Sequence, residues 1–540
     1  MIQDISQRVS ALIEHMSLAE KVGQLFVLGF AGEDVDYARS LVRDCHVGGF
    51  YLTQDNSPTP EKAKALNDVL SYESQLRACD APLLLAVDQE GAWGVLVEYT
   101  TTGPGNLALG AADDVELTRQ MHQVLASEMR TLGYNTILGP CADINANPDN
   151  PIIGVRSFGS DTPVVCRHVQ AAVKGLQTAV VSAAKHFPGH GDTGEDSHRL
   201  LPSVDKSLKS LTQTDLAPFQ AAIDAGVPLI MTSHILYPHI DPANPATLSK
   251  ILLRDILRKE MGFQGLIITD SMNMWAMRKN YGPAEAAVKA LAAGADLIML
   301  SEEHYENNLG GYKDKQRETI DGVIHAVRNR VLDEAIVDQA LARVLSYKYA
   351  NDELFAPPTG NRTLAATAHR IVADKAAKAA IKVIRNRHQL WPLAERPFLL
   401  AGASNPDLHQ TVIDTRGIGP NEPHAAYQVF EQTLMSSGCE LTRVTYEQFD
   451  TLLASHKARA LELPLVMVTE DYPLPGLDYD TQQQRERIAK AWQVFGDQLV
   501  VVALRSDYEL THLPDLATYI CAYSSRACSA KAAAERLLGL

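Results

Sequence analysis

Eight short apolar runs, each bounded by glycine, proline or polar residues, recur along the first part of this chain. They occupy residues 24–30, 48–53, 82–90, 135–144, 182–187, 228–235, 265–272 and 296–301. Most are separated by stretches of helical periodicity, such as 115–132 and 283–293. A run of four to eight apolar residues without polar alternation suits a strand buried on both faces, as in a parallel sheet covered by helices. Eight such strands alternating mainly with helices predict a (β/α)8 TIM-like barrel rather than an open sheet. A helix is expected to open near Ser17, where Ser17 and Glu20 have the spacing of a capping box.

The ends of the runs carry polar residues. Asp88 and Glu90 end the third run, Asp143 the fourth, Lys185 and His186 the fifth, His234 the sixth and Asp270 the seventh. Barrels of this kind place their active sites at the carboxyl ends of the strands, so these groups are expected to converge. Residues 185–198, Lys-His-Phe-Pro-Gly-His-Gly-Asp-Thr-Gly-Glu-Asp-Ser-His, continue from the fifth run. Glycine and proline disfavour helix and buried strand there, which predicts a loop dense in titratable groups, with glycines that permit mobility. Asp196 and His198 stand two apart around a serine, a spacing that lets a carboxylate orient an imidazole for proton transfer.

After a helical stretch at 333–349 comes a segment rich in proline, glycine and polar residues, and the pattern then restarts. The expected domains are a barrel over 1–350, a linker over 351–365 and a smaller α/β sandwich over 366–540. In that second domain a long helix is expected over 366–384. Apolar runs at 398–403, 465–469, 499–504 and 517–523 then predict a mostly parallel sheet. The net charge of −16 argues against a nucleic-acid partner, because such proteins usually show a basic patch. No apolar run reaches the roughly 20 residues of a membrane span. Seven scattered cysteines and a polar N-terminus without the plan of a signal peptide predict reduced thiols and a cytoplasmic setting.

Asp270 follows Leu-Ile-Ile-Thr, so its carboxylate is either a strand-end cap or a nucleophile on a rigid mount. His186, His190, Asp192, Asp196 and His198 include plausible metal ligands, but their spacing fits no metal motif, and no metal is expected. Arg156 lies in another Pro/Gly-punctuated loop. Alone it reads as a structural ion pair. With Asp88, Lys185 and His186 it would form a set of charged donors and acceptors suited to a polyhydroxylated ligand.

Several motifs resemble glycoside hydrolase family 3, in its β-N-acetylglucosaminidase branch. Met-Ser-Leu-Ala-Glu-Lys-Val-Gly-Gln-Leu-Phe (16–26) resembles the family's opening and Val-Asp-Gln-Glu-Gly (87–91) its first sugar-binding loop. Asn-Pro-Ile-Ile-Gly-Val-Arg-Ser-Phe-Gly (150–159) is similar to the loop bearing the substrate arginine. Lys-His-Phe-Pro-Gly-His-Gly-Asp-Thr (185–193) with Asp-Ser-His (196–198) is the signature of the branch, and Ile-Thr-Asp-Ser-Met (268–272) matches the nucleophile strand.

The resemblance implies that Asp270 attacks the anomeric carbon and that His198, held by Asp196, acts as acid and then base. Asp88, Arg156, Lys185 and His186 would hold sugar hydroxyls, with Met272 beside the nucleophile. The implied reaction is exo-acting, retaining removal of terminal N-acetylglucosamine from an oligosaccharide, without metal or organic cofactor. Because a histidine acid is neutral after giving up its proton, phosphorolysis is a chemical alternative. A β-glucosidase-type relative using Glu470 or Asp471 as the acid, and a binding-only relative, are further ones. The chain departs from the family at 91–94, Gly-Ala-Trp-Gly, where Trp93 stands in place of an expected arginine. Tryptophan either stacks on a sugar face or packs in the core, and it cannot replace a bidentate donor.

Overall fold

The computed structural model describes residues 2–194, 201–301, 311–358, 363–394, 396–402, 422–454, 463–470, 481–507 and 509–540. Its packing divides the chain into two compact units. One comprises residues 1–89, 122–150 and 160–364; the other comprises 90–121, 151–159 and 365–540. Two loops that follow the third and fourth apolar runs therefore pack with the C-terminal half.

The first unit holds an eight-stranded parallel sheet: β1 (Phe26–Leu28), β2 (Gly49–Leu52), β3 (Leu84–Val87), β4 (Thr136–Ile137), β5 (Val181–Phe187), β6 (Leu229–Thr232), β7 (Leu266–Ile268) and β8 (Ile298–Leu300). Each strand from β1 to β6 pairs with the next in sequence, and β8 pairs with β1 along Phe26–Ile298, Val27–Met299 and Leu28–Leu300. A parallel bridge between Ile268 and Leu297 brings β7 and β8 together, so the sheet wraps into a barrel. All eight strands are buried throughout, as expected where a core lies on one face and helices cover the other.

Local chemistry explains the helices between them. Ser17 Oγ accepts the Glu20 amide while the Glu20 carboxylate accepts the Ser17 amide, so the capping box forms. Asp161 caps the helix Thr162–Leu176 through the Val164 amide. Gly294 ends the helix Pro283–Ala293 at φ +119°, a conformation that disfavours a side chain.

The second unit carries a six-stranded sheet of β9 (Lys382–Asn386), β10 (Phe398–Gly402), β11 (Leu441–Thr445), β12 (Leu465–Thr469), β13 (Leu499–Ala503) and β14 (Thr518–Cys521), in the order β11-β10-β12-β13-β14-β9. All pairs are parallel except β14 with β9. The expected helix over 366–384 is shorter, spanning Thr367–Ala380, and its last residues belong to the antiparallel edge strand β9. Neither β9 nor β11 was legible as an apolar run, because both are partly exposed edge strands of mixed composition. Among the described residues no helix is long and apolar enough to cross a membrane.

Candidate active site

The carboxyl ends of the barrel strands gather the charged groups. Asp88 directly follows β3, and Lys185 and His186 lie near the carboxyl end of β5. Lys185 Nζ donates to Asp88 Oδ1 at 2.5 Å, and the Tyr51 hydroxyl, from β2, donates to Asp88 Oδ2 at 2.8 Å. The Lys185 side chain is 3% exposed while that of Asp88 is 23% exposed, so the carboxylate is the member open to a ligand. Tyr51 was missed in the sequence because a tyrosine inside an apolar strand carries no distinguishing signal.

Asp143 is fully buried beyond β4, on a stretch held to β5 by the Cys141–Lys185 bridge. Its Oδ2 lies 2.7 Å from His186 Nδ1 and accepts the Cys141 thiol at 3.0 Å. Its Oδ1 accepts the His190 amide at 2.7 Å and the His186 amide at 3.2 Å. Burial alone would push this carboxyl up, but the charge and hydrogen bond of His186, the charge of His190 and the Cys141 bond hold it below the ordinary aspartate range. Cys141, Asp143 and His186 offer three ligand-type atoms within 4.8 Å of one another. The Asp143 oxygens are engaged by four donors, so the set reads as a hydrogen-bonded network rather than a metal centre.

The described part of the loop after β5 is braced, contrary to the mobility its glycines suggest. Asn150 Nδ2 donates to the carbonyls of His190 and Thr193 at 2.9 and 3.0 Å. The Tyr237 hydroxyl donates to the Gly189 carbonyl at 2.5 Å, and burial pushes its phenol well above the ordinary value, so it stays a donor. Lys206 bridges Asp192 at 3.0 Å and Asp215 at 2.8 Å. At Gly191 a Cβ would lie 1.7 Å from the Ile144 carbonyl oxygen, so glycine there serves close approach rather than flexibility. Asp196 and His198 lie outside the described residues.

Asp270 stands two residues beyond β7, partly exposed, and its Oδ1 accepts the Ser271 amide at 2.7 Å. The segment around it is laced to β8 and its end. The Thr269 amide donates to Leu297 O, the Met272 amide to Met299 O, and the Ser271 and Ser301 hydroxyls meet at 2.6 Å. Met272 is buried, so its side chain packs inward. His234 is also fully buried: its Nε2 lies 2.9 Å from Ser271 O and its Nδ1 2.8 Å from Thr247 Oγ1. It props the Asp270 turn from below.

Arg156 and Trp93 belong to the second unit. Arg156 forms a bidentate pair with Glu90, both contacts at 2.8 Å, and also donates to Ile152 O. Its guanidinium sits 4.2 Å from the centre of the Trp93 ring. Trp93 is buried. The backbone of Gly91 and Ala92 is gripped by Arg526, whose Nε and Nη2 donate to their carbonyls at 2.9 and 2.8 Å. No sequence signal pointed to Arg526, which is 434 residues away from Ala92. Glu470 accepts the amides of Ala426 and Tyr427, at the start of the helix Ala426–Ser436, at 3.0 Å each. It is a helix cap, which argues against an acid/base role; Asp471 lies outside the described residues.

A parallel barrel with charged side chains gathered at the carboxyl ends of its strands defines a barrel enzyme that works at that rim. The family model "Glycosyl hydrolase family 3 N terminal domain" matches residues 17–347. The chain belongs to glycoside hydrolase family 3. It is similar to a solved family 3 β-N-acetylglucosaminidase from Paenibacillus sp. str. FPU-7, at 32% identity and a TM-score of 0.82 over 97% of both chains. It is 31% identical to "Beta-hexosaminidase A" of Pseudoalteromonas piscicida over 64% of this chain and 60% of that protein. It is 28% identical to "Beta-N-acetylglucosaminidase/beta-glucosidase" of Cellulomonas fimi, over 81% of this chain and 75% of that one.

Proposed function

We propose that this protein is an exo-acting, retaining β-N-acetylglucosaminidase that removes terminal β-linked N-acetylglucosamine from chitin-type oligosaccharides or peptidoglycan fragments. The observation that carries the reading is Asp270. It is a partly exposed carboxylate on a turn tied to β8 and propped by His234, at the same rim as the Asp88–Lys185 pair. A nucleophile needs this combination of a rigid mount and access. In the proposed reaction Asp270 attacks the anomeric carbon as the glycosidic bond breaks and His198, oriented by Asp196, protonates the departing oxygen. His198 then takes a proton from water, whose oxygen displaces Asp270, and two inversions retain the β configuration. Asp88, Lys185 and His186 hold sugar hydroxyls. The catalytic domain is 1–350, with 351–365 as linker and 366–540 as the sandwich domain, in a cytoplasmic setting. The names of the relatives support the acetamido sugar.

The test is nitrophenol release from the β-N-acetylglucosaminide and the β-glucoside, with and without phosphate, for wild type and Asp270→Ala. Preference for the acetamido sugar, with a loss of at least about 1,000-fold in the variant, is the expected result. Sugar 1-phosphate formed at an enhanced rate would replace hydrolysis by phosphorolysis. Turnover unaffected by Asp270→Ala would remove the nucleophile assignment.

A further inference from the structure

We infer that Ser271 is a positioning residue for the glycosyl-transfer step: it ties the Asp270 carboxylate to the ends of β6 and β8, so that the carboxylate is oriented before the sugar arrives. The inference rests on the reading of Asp270 as the nucleophile. Every polar atom of Ser271 is committed. Its amide donates to Asp270 Oδ1 at 2.7 Å. Its carbonyl oxygen lies 2.9 Å from His234 Nε2 and accepts the Met274 amide at 3.1 Å. Its hydroxyl meets that of Ser301 at 2.6 Å and accepts the Ser301 amide at 3.1 Å.

His234 stands two residues beyond β6, and Ser301 directly follows β8. The residue next to Asp270 is thus held from both strands that flank β7. Regular pairing of β7 stops at Ile268, two residues short of the carboxylate. The bonds of Ser271 add to the backbone ones from Thr269 and Met272 at the place where the ladder ends. Ser271 and Ser301 are both buried, so water competes little for their contact.

Asp270 itself is partly exposed, so packing alone does not hold its side chain. The last torsion of an aspartate is broad, and a free carboxylate turns about it readily. An amide bonded to Oδ1 restricts that rotation only if the amide is itself fixed. The carbonyl and hydroxyl of Ser271 fix it. A nucleophile gains from such restraint because a misplacement of about 1 Å can cost about 100-fold in rate.

Ser271→Ala tests this cleanly, since it keeps the amide and carbonyl and removes only the hydroxyl. The experiment is single-turnover release of nitrophenol from the aryl N-acetylglucosaminide, with full-length enzyme in excess. It compares wild type, Asp270→Ala, Ser271→Ala, Ser301→Ala and the double serine variant. This release reports formation of the glycosyl-enzyme apart from its hydrolysis. Ser271→Ala should slow the limiting rate about 10- to 100-fold and change the half-saturating concentration less than about twofold. Ser301→Ala leaves the Ser301 amide on the Ser271 hydroxyl and should lose less. The double variant should lose no more than Ser271→Ala, because both changes break one contact.

A serine that serves only the fold would lower the denaturation midpoint and leave the limiting rate of the folded enzyme unchanged. That result overturns the inference, as does a loss confined to half-saturation or losses that multiply in the double variant. If Ser271→Ala does not fold, the limiting rate of Ser301→Ala decides. A wild-type rate in Asp270→Ala fails the nucleophile reading and the inference with it. Loss in Asp270→Ala with none in Ser271→Ala fails the inference alone.

Discussion

Asp88 and Glu90 are separated by one residue, and each holds a cation. The Asp88–Lys185 pair has a single contact and an acid 23% exposed. The Glu90–Arg156 pair is bidentate, its side chains 0% and 5% exposed, with the guanidinium resting on Trp93. In the first pair part of the carboxylate faces outward, where a sugar hydroxyl can replace water. In the second, both oxygens and two guanidinium nitrogens are spent on each other. The same residue types are therefore left open to solvent in one place and closed into the packing in another.

Removing one partner should separate the two pairs most sharply. Glu90→Ala strands Arg156 as a buried, uncompensated cation. It should cost about 3–5 kcal/mol of stability, read as a drop in the midpoint of chemical denaturation. Asp88→Ala, in a pair that water already reaches, should lower that midpoint less and also raise KM for the aryl glycoside about 10- to 100-fold. If the two variants show the same stability loss, the distinction collapses.

Acid provides a subtler contrast within the rim. The Asp143 pKa lies below its unfolded value, so its stabilising contribution is complete above that value and is lost as pH falls through the folded one. The stability advantage of wild type over Asp143→Asn should therefore shrink as pH falls from about 5 to about 2. A constant advantage across that range would mean the carboxylate is not preferentially ionised in the fold.

The smallest expected effect is that of Trp93→Phe. It weakens the cation–π contact with Arg156, but it also removes an indole N–H that has no acceptor among the described residues. The net change should stay below about 1 kcal/mol, measured by denaturation, with kcat/KM nearly unaltered. A large loss of activity would put Trp93 on the sugar after all.

The barrel was legible because eight strands buried on both faces must each be written as an apolar run, a pattern that needs no knowledge of neighbours. The rim was legible because a barrel fixes where strand ends go: Asp88, Lys185, His186 and Asp270 could be assigned from position alone. The edge strands β9 and β11 were not legible, since an edge is exposed and its residues need not be apolar. Nor was the division of labour between Asp88 and Glu90, the grip of Arg526 on Gly91 and Ala92, or the hub at Asp143. Those depend on which groups meet across long sequence separations, and on how much water reaches them. The sequence by itself determined the barrel strands, the order of the charged groups along their ends and the family. Only the tertiary structure decided which charges are satisfied internally, because that depends on burial and geometry, which no local pattern encodes.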